Sequence, residues 1–373
     1  MEEIDLCGVS VVSFFAGTAF SVPISNLSDI LSATSETYVI VGAYEHIHFQ
    51  KSNDLVHIYT VPYQSGASII RQAFRYSMLQ LKIIIRLFSL RKKFWSVVFF
   101  MESPPLLPIT AAKIFNNNVY WLLPSKISLL SEDIPSKLTT ILSEICYNLC
   151  NGIILYSPSL VPYWNLEPYR HKILIAHEHF LDFKIFTVTT PLPDRPLLIG
   201  YIGRLSEEKG VQHFAQALPA ILGYRQGLRV LIGGDGQLKE TIAISLQEEG
   251  LTPRVDLPGW ISHDDLPNYL NQLRLLILPS YTEGLPNIML EAMACGTPVL
   301  ATPVGAIPDV IIDGKTGFIM ENNTSECIAK NVIRVLNSPD LEQIAEDGRR
   351  FVEEHFTFEK TAENWKRILQ RNR

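Results

Sequence analysis

The chain is poor in cysteine, and the few it has follow no pattern. Five are spread over 373 residues: Cys7, Cys146, Cys150, Cys295 and Cys327. None forms a CxxC pair, and no His/Cys cluster has zinc-ligand spacing, so neither a disulfide framework nor a zinc module is encoded. Buried small apolar side chains in a reducing compartment fit these cysteines. Long uncharged runs are also missing. No uninterrupted apolar stretch reaches the roughly 18 residues that a membrane-spanning helix needs. The opening Met1-Glu2-Glu3 is acidic, which is unlike the basic start of a secretory leader, so a cytoplasmic location is expected. Acid is absent from one long segment: between Asp54 and Glu102 there is no Asp or Glu. The dinucleotide fingerprint G-x-G-x-x-G after a first strand is absent, and so is any Asp-x-Asp at the end of an apparent strand. The chain is acidic overall and carries no nucleic-acid motif, so no nucleic-acid partner is expected.

What is present is ordinary globular material. Apolar residues make up 47% and charged residues 19%, which excludes bulk disorder and collagen-like scaffolds. A length of 373 residues exceeds one core and points to two domains. The net charge of −6 is unevenly placed. Residues 1–190 hold 14 Lys/Arg and 14 Asp/Glu, whereas residues 191–373 hold 18 and 24.

The second half alternates clearly between strands and helices. Apolar runs at 197–201, 228–232, 254–257, 275–278, 299–301 and 317–320 read as strands, each followed by glycine, proline or a polar turn. Helical spacing appears at 211–222, 238–249, 266–273 and 287–294. This alternation predicts a parallel sheet covered by helices, with a ligand crevice at the C-terminal ends of its strands. The first half repeats the pattern less cleanly, with strands at 7–15, 38–41, 55–61, 95–100, 119–122 and 152–156. Prolines crowd 183–196, where a linker is expected. The predicted division is 1–190, 191–355 and a last helix within 356–373.

Four motifs fall at predicted strand ends of the second half. The densest runs Pro279-Ser280-Tyr281-Thr282-Glu283-Gly284-Leu285-Pro286 and continues to Glu291. Glu283 would sit in the loop after a strand, and Glu291 about two turns into the next helix. Pro286 suits a first helical turn. The Gly284 and Leu285 amides would then lie at a helix N-terminus, an anion site. Carboxylates beside an anion site suit a ligand that is both phosphate and polyol. The second motif, Gly203-Arg204 with Lys209-Gly210, sets two cations where a diphosphate could bind. The third is Gly233-Gly234-Asp235-Gly236, whose glycines would allow close approach of a ligand. The fourth, Gly259-Trp260-Ile261, offers an aromatic and open backbone for a base edge.

These residues resemble a retaining glycosyltransferase of family 4, the glycosyl transferases group 1 type. Gly203-Arg204-Leu205, Lys209-Gly210, the 233–236 loop and Glu283-Gly284-Leu285-Pro286 with Glu291 carry the likeness, together with Val304-Gly305 and Asp313-Gly314-Lys315-Thr316-Gly317-Phe318. It covers about 196–355 and is faint over 1–180. The resemblance implies an α/β fold of two Rossmann-like doubly wound domains facing a cleft, the GT-B architecture. It implies that Arg204 and Lys209 bind the diphosphate of a nucleotide-sugar donor, Glu283 the transferred sugar and Glu291 the ribose. The Gly284 and Leu285 amides would meet the distal phosphate or the sugar. An acceptor, a glycan or lipid-linked saccharide, would sit on the first domain. Transfer would retain configuration and need no cofactor or metal. Gly17, in the loop after the first strand, is the first-domain residue expected near donor phosphate or acceptor. The family often places a His after the fourth strand of that domain, where this chain has Met101-Glu102-Ser103. His177-Glu178-His179 lies before the linker, as a hinge, a cleft wall or a pair of metal ligands. The alternatives are a sugar-nucleotide epimerase and a sugar-nucleotide-binding protein without turnover.

The acid-free segment holds Arg71, Arg75, Lys82, Arg86, Arg91, Lys92 and Lys93. On a helix, Arg71, Arg75, Lys82 and Arg86 gather toward one side, leaving an apolar remainder. Such a helix either lies on an anionic membrane surface, making the protein peripheral to the membrane, or packs on a core with a basic wet face.

Overall fold

The structure is a computed structural model that describes residues 8–16, 18–43, 53–62, 69–124 and 134–370. The chain divides into two compact units, Met1–Phe180 with Phe358–Arg373, and Leu181–Thr357.

The first unit runs β1 (Gly8–Ala16), α1 (Thr18–Ser32), β2 (Thr37–Ala43), β3 (Val56–Pro62), α2 (Ile69–Leu90), β4 (Phe94–Phe100), α3 (Leu106–Ile114), β5 (Asn118–Leu122), α4 (Ile134–Leu149), β6 (Gly152–Leu155), α5 (Leu160–Tyr163) and β7 (Ile173–Ile175). Its seven strands lie in the order β3-β2-β1-β4-β5-β6-β7 and pair in parallel. Strands such as Phe94–Phe100 are buried along nearly their whole length. Continuous apolar runs of this kind are what a sheet covered on both faces requires. β7 escapes the sequence reading because only three residues pair.

The second unit runs β8 (Leu198–Ile202), α6 (Val211–Tyr224), β9 (Arg229–Gly233), α7 (Lys239–Glu248), β10 (Val255–Gly259), α8 (Leu266–Leu270), β11 (Leu275–Leu278), α9 (Asn287–Ala294), β12 (Val299–Ala301), α10 (Ile307–Val310), β13 (Phe318–Ile319), α11 (Ser325–Leu336) and α12 (Leu341–His355). Its six strands lie in the order β10-β9-β8-β11-β12-β13. Both orders reverse direction once, between β1 and β4 and between β8 and β11. Each unit is therefore a doubly wound parallel-sheet α/β domain, as expected from the sequence. At such a reversal neighbouring helices cover opposite faces, and the loops at the strands' C-terminal ends part to leave room for a ligand.

The proline-rich 183–196 segment is pinned to the second unit. Asn271 Oδ1 accepts from the Thr189 amide at 2.8 Å. Arg195 is almost wholly buried. It donates to the Cys295 carbonyl at 2.6 Å, the Leu273 carbonyl at 2.8 Å and Thr297 Oγ1 at 2.7 Å. Burial lowers its guanidinium to about 10, and these oxygens satisfy the charge it keeps. The last helix, α13 (Phe358–Gln370), belongs to the first unit, where it packs on α1. Asn364 Nδ2 donates to the Ile175 carbonyl at 2.9 Å, and Trp365 Nε1 to the His177 carbonyl at 2.8 Å. Trp365 is completely buried.

Trp365→Ala is expected to lower stability by about 3–5 kcal/mol through lost burial and the cavity left behind. Trp365→Phe should cost about 1–2 kcal/mol, chiefly from the orphaned carbonyl. Urea denaturation followed by circular dichroism checks both. Equal midpoints for the two variants would show that the ring, and not the indole hydrogen bond, does nothing to hold α13.

Candidate donor-binding site

The four motifs sit where the strand order puts them, after β8, β9, β10 and β11. Two of these strands, β8 and β11, are neighbours at the reversal. Their loops are fastened together by backbone. Gly210 has φ +67°, and a Cβ there would run into the Pro279 carbonyl oxygen, so only glycine fits without strain. The Tyr281 amide donates to the Glu208 carbonyl at 2.9 Å, and His213 Nε2 meets the Tyr281 hydroxyl at 2.7 Å.

This fastening brings together two charges 74 positions apart. Lys209 Nζ lies 2.7 Å from Glu283 Oε1, with side chains 27% and 10% exposed. Ser280 Oγ donates to the same oxygen at 2.8 Å, and Thr302 Oγ1 holds the Ser280 carbonyl at 2.6 Å. The sequence reading missed Ser280. Its signal was its place three residues before Glu283, on the same turn. The next loop locks the geometry from behind: the Ala306 amide donates to the Gly284 carbonyl at 2.8 Å, and Gly305 lies against the Glu283 and Gly284 carbonyls.

Pro286 is extended (φ −73°, ψ 120°) and precedes α9 instead of occupying its first turn. Helix α9 therefore starts later than its proline suggests, and Glu291 is its fifth residue, just over one turn in. Neither the Gly284 nor the Leu285 amide donates to another described residue. Together with the Asn287 and Ile288 amides that open α9 they leave a set of donors beside Glu283. Glu291 is buried, and His263 Nε2 lies 3.3 Å from its Oε1. The hydrogen bond to Glu291 raises the His263 pKa above its ordinary value, against a smaller opposing effect of burial. His263 was also missed. Nothing in its local sequence links it to Glu291; the loop after β10 brings it there.

The other expected residues are less closely joined. Arg204 is 62% exposed, with Nη1 3.6 Å from Glu208 Oε1. The Ser206 hydroxyl and Arg204 both help hold the Glu208 carboxyl below its usual range. Gly203 and the 233–236 loop need glycine for a reason other than ligand approach. At Gly234, φ is +133° and a Cβ would strike the Gly203 carbonyl oxygen. Gly236 packs in the same way on the Leu205 carbonyl. The Gly234 amide donates to the Gly259 carbonyl at 2.7 Å. These glycines let loops stack on one another. Ile261 seats its side chain over Gly233, while Trp260 is 73% exposed.

In the first unit, Gly17 lies outside the described residues, and so does the side chain of Arg71. Strand β4 ends at Phe100, one residue before Met101, and Glu102 after it is exposed. His177, Glu178 and His179 lie beneath α13. The Tyr156 hydroxyl donates to Glu178 Oε1 at 2.7 Å, and Thr361 Oγ1 donates to the His179 carbonyl at 3.2 Å. Burial raises the Glu178 carboxyl to about 7 and lowers His177 to about 4. Among the described residues, no group of three or more His, Cys, Asp or Glu is placed to hold a metal ion. This cluster packs α13 onto the first unit.

Comparison with known proteins bears on the family and the fold. Residues 183–351 match the family model of Glycosyl transferases group 1. The second unit thus carries a Glycosyl transferases group 1 domain. The alpha-D-kanosaminyltransferase of Streptomyces kanamyceticus is 32% identical over 158 residues, which are 42% of this chain and 41% of that protein. The match therefore spans about two fifths of that relative's length. Sucrose-phosphate synthase from Thermosynechococcus elongatus superposes with a TM-score of 0.76 at 17% identity, covering 98% of both chains. Anabaena HepE in complex with UDP superposes equally well, at 0.76 and 15% identity, over 97% of this chain and 100% of that one. These likenesses fix the fold.

His263 should titrate above its ordinary value in the folded protein, because Glu291 favours its charged form. The contribution to stability is then fully present below the unfolded pKa of about 6.5. It is lost as pH rises through the raised folded value. Imidazole NMR titration checks this: Glu291→Gln should bring the His263 midpoint down, and an unmoved midpoint would show that the contact is not formed.

Proposed function

We propose that the chain is a glycosyltransferase that moves a sugar from a nucleoside-diphosphate donor to an acceptor hydroxyl of a glycan or lipid-linked saccharide. The observation that carries this reading is the Lys209–Glu283 pair beside the Gly284 and Leu285 amides, which donate to no other described residue. A lone phosphate would be repelled by Glu283, and a neutral sugar has no use for Lys209. A sugar diphosphate uses both.

In this reading Lys209 turns one N–H to Glu283 and offers the others to the diphosphate. Glu283, fixed by Lys209 and Ser280, accepts hydrogen bonds from hydroxyls of the transferred sugar. Glu291, held by His263, takes the ribose hydroxyls. The amides of Gly284 and Leu285, with Arg204, receive phosphate oxygens. As the glycosidic bond breaks, charge collects on the departing diphosphate, where these fixed donors stabilise it. They supply the positive charge that a divalent metal otherwise provides, which supports a metal-independent transfer. The acceptor oxygen attacks the face the leaving group vacates, and a phosphate oxygen takes its proton, so configuration is retained. Both glutamates already serve as acceptors for neighbouring cations or donors, which speaks against a covalent sugar–carboxylate scheme. HepE crystallised with UDP makes a uridine donor a sensible first choice. One observation favours a second reading, a sugar-nucleotide-binding protein without turnover: Glu102, and no His, follows β4.

Release of nucleoside diphosphate from a panel of sugar nucleotides, with and without acceptor glycans, tests the reading. Turnover with at least one donor is expected. Glu283→Ala and Lys209→Ala should each lower it at least a hundredfold, about 3 kcal/mol of transition-state stabilisation, with unchanged circular dichroism. Tight nucleotide binding with neither transfer nor donor hydrolysis supports the binding-protein reading instead. Near-normal rates in both variants would refute the site.

A further inference from the structure

A different surface stands out in the first unit, and it stands independently of the transferase reading. Helix α2 exposes Phe74, Met78, Leu81, Ile85 and Phe88, each between 41% and 67% accessible. Their spacing of four, three, four and three gathers them within an arc of about 80° on a helix of 3.6 residues per turn. Five large apolar side chains in one continuous row far exceed the scattered exposure of an ordinary surface. The helix's buried row, Leu79, Ile83, Leu87 and Leu90, already meets the core, so the outer row serves something else.

The charges on α2 fall in a third row between these two. By the same periodicity Arg75, Lys82 and Arg86 all lie on one edge of the apolar row. Arg86 stands 4.9 Å over the Tyr59 ring. Helix α3 packs against α2, and α4 against α3. Helix α4 repeats the design with Leu138, Ile141 and Ile145 exposed. Across the three helices the basic residues are Arg71, Arg75, Lys82, Arg86, Lys113 and Lys137. The sole acid is Glu144 on α4.

We propose that this three-helix face docks on an anionic lipid bilayer, with the α2 row immersed among acyl chains and the flanking cations at the headgroups. Charge complementarity selects that occupant. Lys and Arg beside an apolar row bury their stems and keep their charges at the phosphate level. A second copy of the same face would bring cation rows together across a two-fold axis, with only Glu144 to offset them. No helix among the described residues is long and apolar enough to cross a membrane, so α2 would lie along the surface. The sequence offered cations on one side and an apolar remainder; the new element is that one apolar row faces outward while the other enters the core.

The test is sedimentation of the full chain with vesicles of phosphatidylcholine alone and with vesicles in which half is replaced by phosphatidylglycerol. Binding to the anionic vesicles should exceed binding to the neutral ones at least tenfold and weaken with salt. The double variant Leu81→Glu/Ile85→Glu, at exposed positions, should lose binding at least tenfold while its unfolding midpoint holds. Lys82→Gln/Arg86→Gln should bind more weakly and with a shallower salt dependence. Absence of wild-type binding, or full binding by the Leu81→Glu/Ile85→Glu protein, overturns the proposal. A concentration-dependent dimer that the same variant abolishes, with no vesicle binding, overturns it in favour of a second copy. Because donor turnover is measured separately in solution, failure of one result leaves the other standing.

Discussion

Lys209 and Glu283 meet because β8 and β11 are neighbours in a sheet whose strand order reverses between them. Much of the second unit serves to keep that meeting in place. Gly210 exists to let its loop pass the Pro279 carbonyl, Thr302 holds Ser280, and Ser280 holds Glu283. A half-buried ion pair contributes little to stability once its desolvation is counted. An arrangement with this many supports is better understood as orientation. Two opposite charges are held at 2.7 Å so that a ligand carrying both anionic and hydroxyl groups finds both partners already placed.

The same logic applies to the glycines. A glycine-rich loop at a strand end invites the idea that a ligand presses on bare backbone. Here Gly234 and Gly236 are needed because neighbouring loops press on each other, carbonyl against Cα. The two uses are not exclusive along a chain, since close-stacked loops also make a thin, rigid floor. The difference matters for interpreting substitutions, because a side chain at Gly234 would disturb the floor before it met any ligand.

The first unit divides its surfaces differently. One side of its sheet carries α1 with α13, whose Trp365, Thr361 and Asn364 satisfy the carbonyls of the 175–179 segment. The helices α2, α3 and α4 form another layer, one that leaves apolar rows to solvent. A chain with net charge −6 thus contains three helices whose sequences hold six Lys or Arg against one Glu, and total charge says nothing about them.

The alternation of strands and helices, the two-domain size and the motifs at strand ends were all legible in the sequence, because hydrophobic period and turn residues are local properties. The span 287–294 of helix α9 was legible, but not that Pro286 stands before it and Glu291 little more than one turn in. The three-residue β7 was invisible, because so short a strand has no period of its own. Glu283 and Lys209 were each recognisable, but not as partners. His263 was not recognisable, because its role depends on a loop 28 residues from Glu291; Ser280 gave only its place three residues before Glu283, and the Thr302 hydroxyl that holds it lies 22 residues away. The α2 segment shows the division most plainly. Composition determined that it would be a basic, acid-free, amphipathic helix. Only the fold decided which of its apolar rows entered the core, because Leu79, Ile83 and Leu87 are chemically no different from Leu81 and Ile85, and the choice was made by the sheet they pack against.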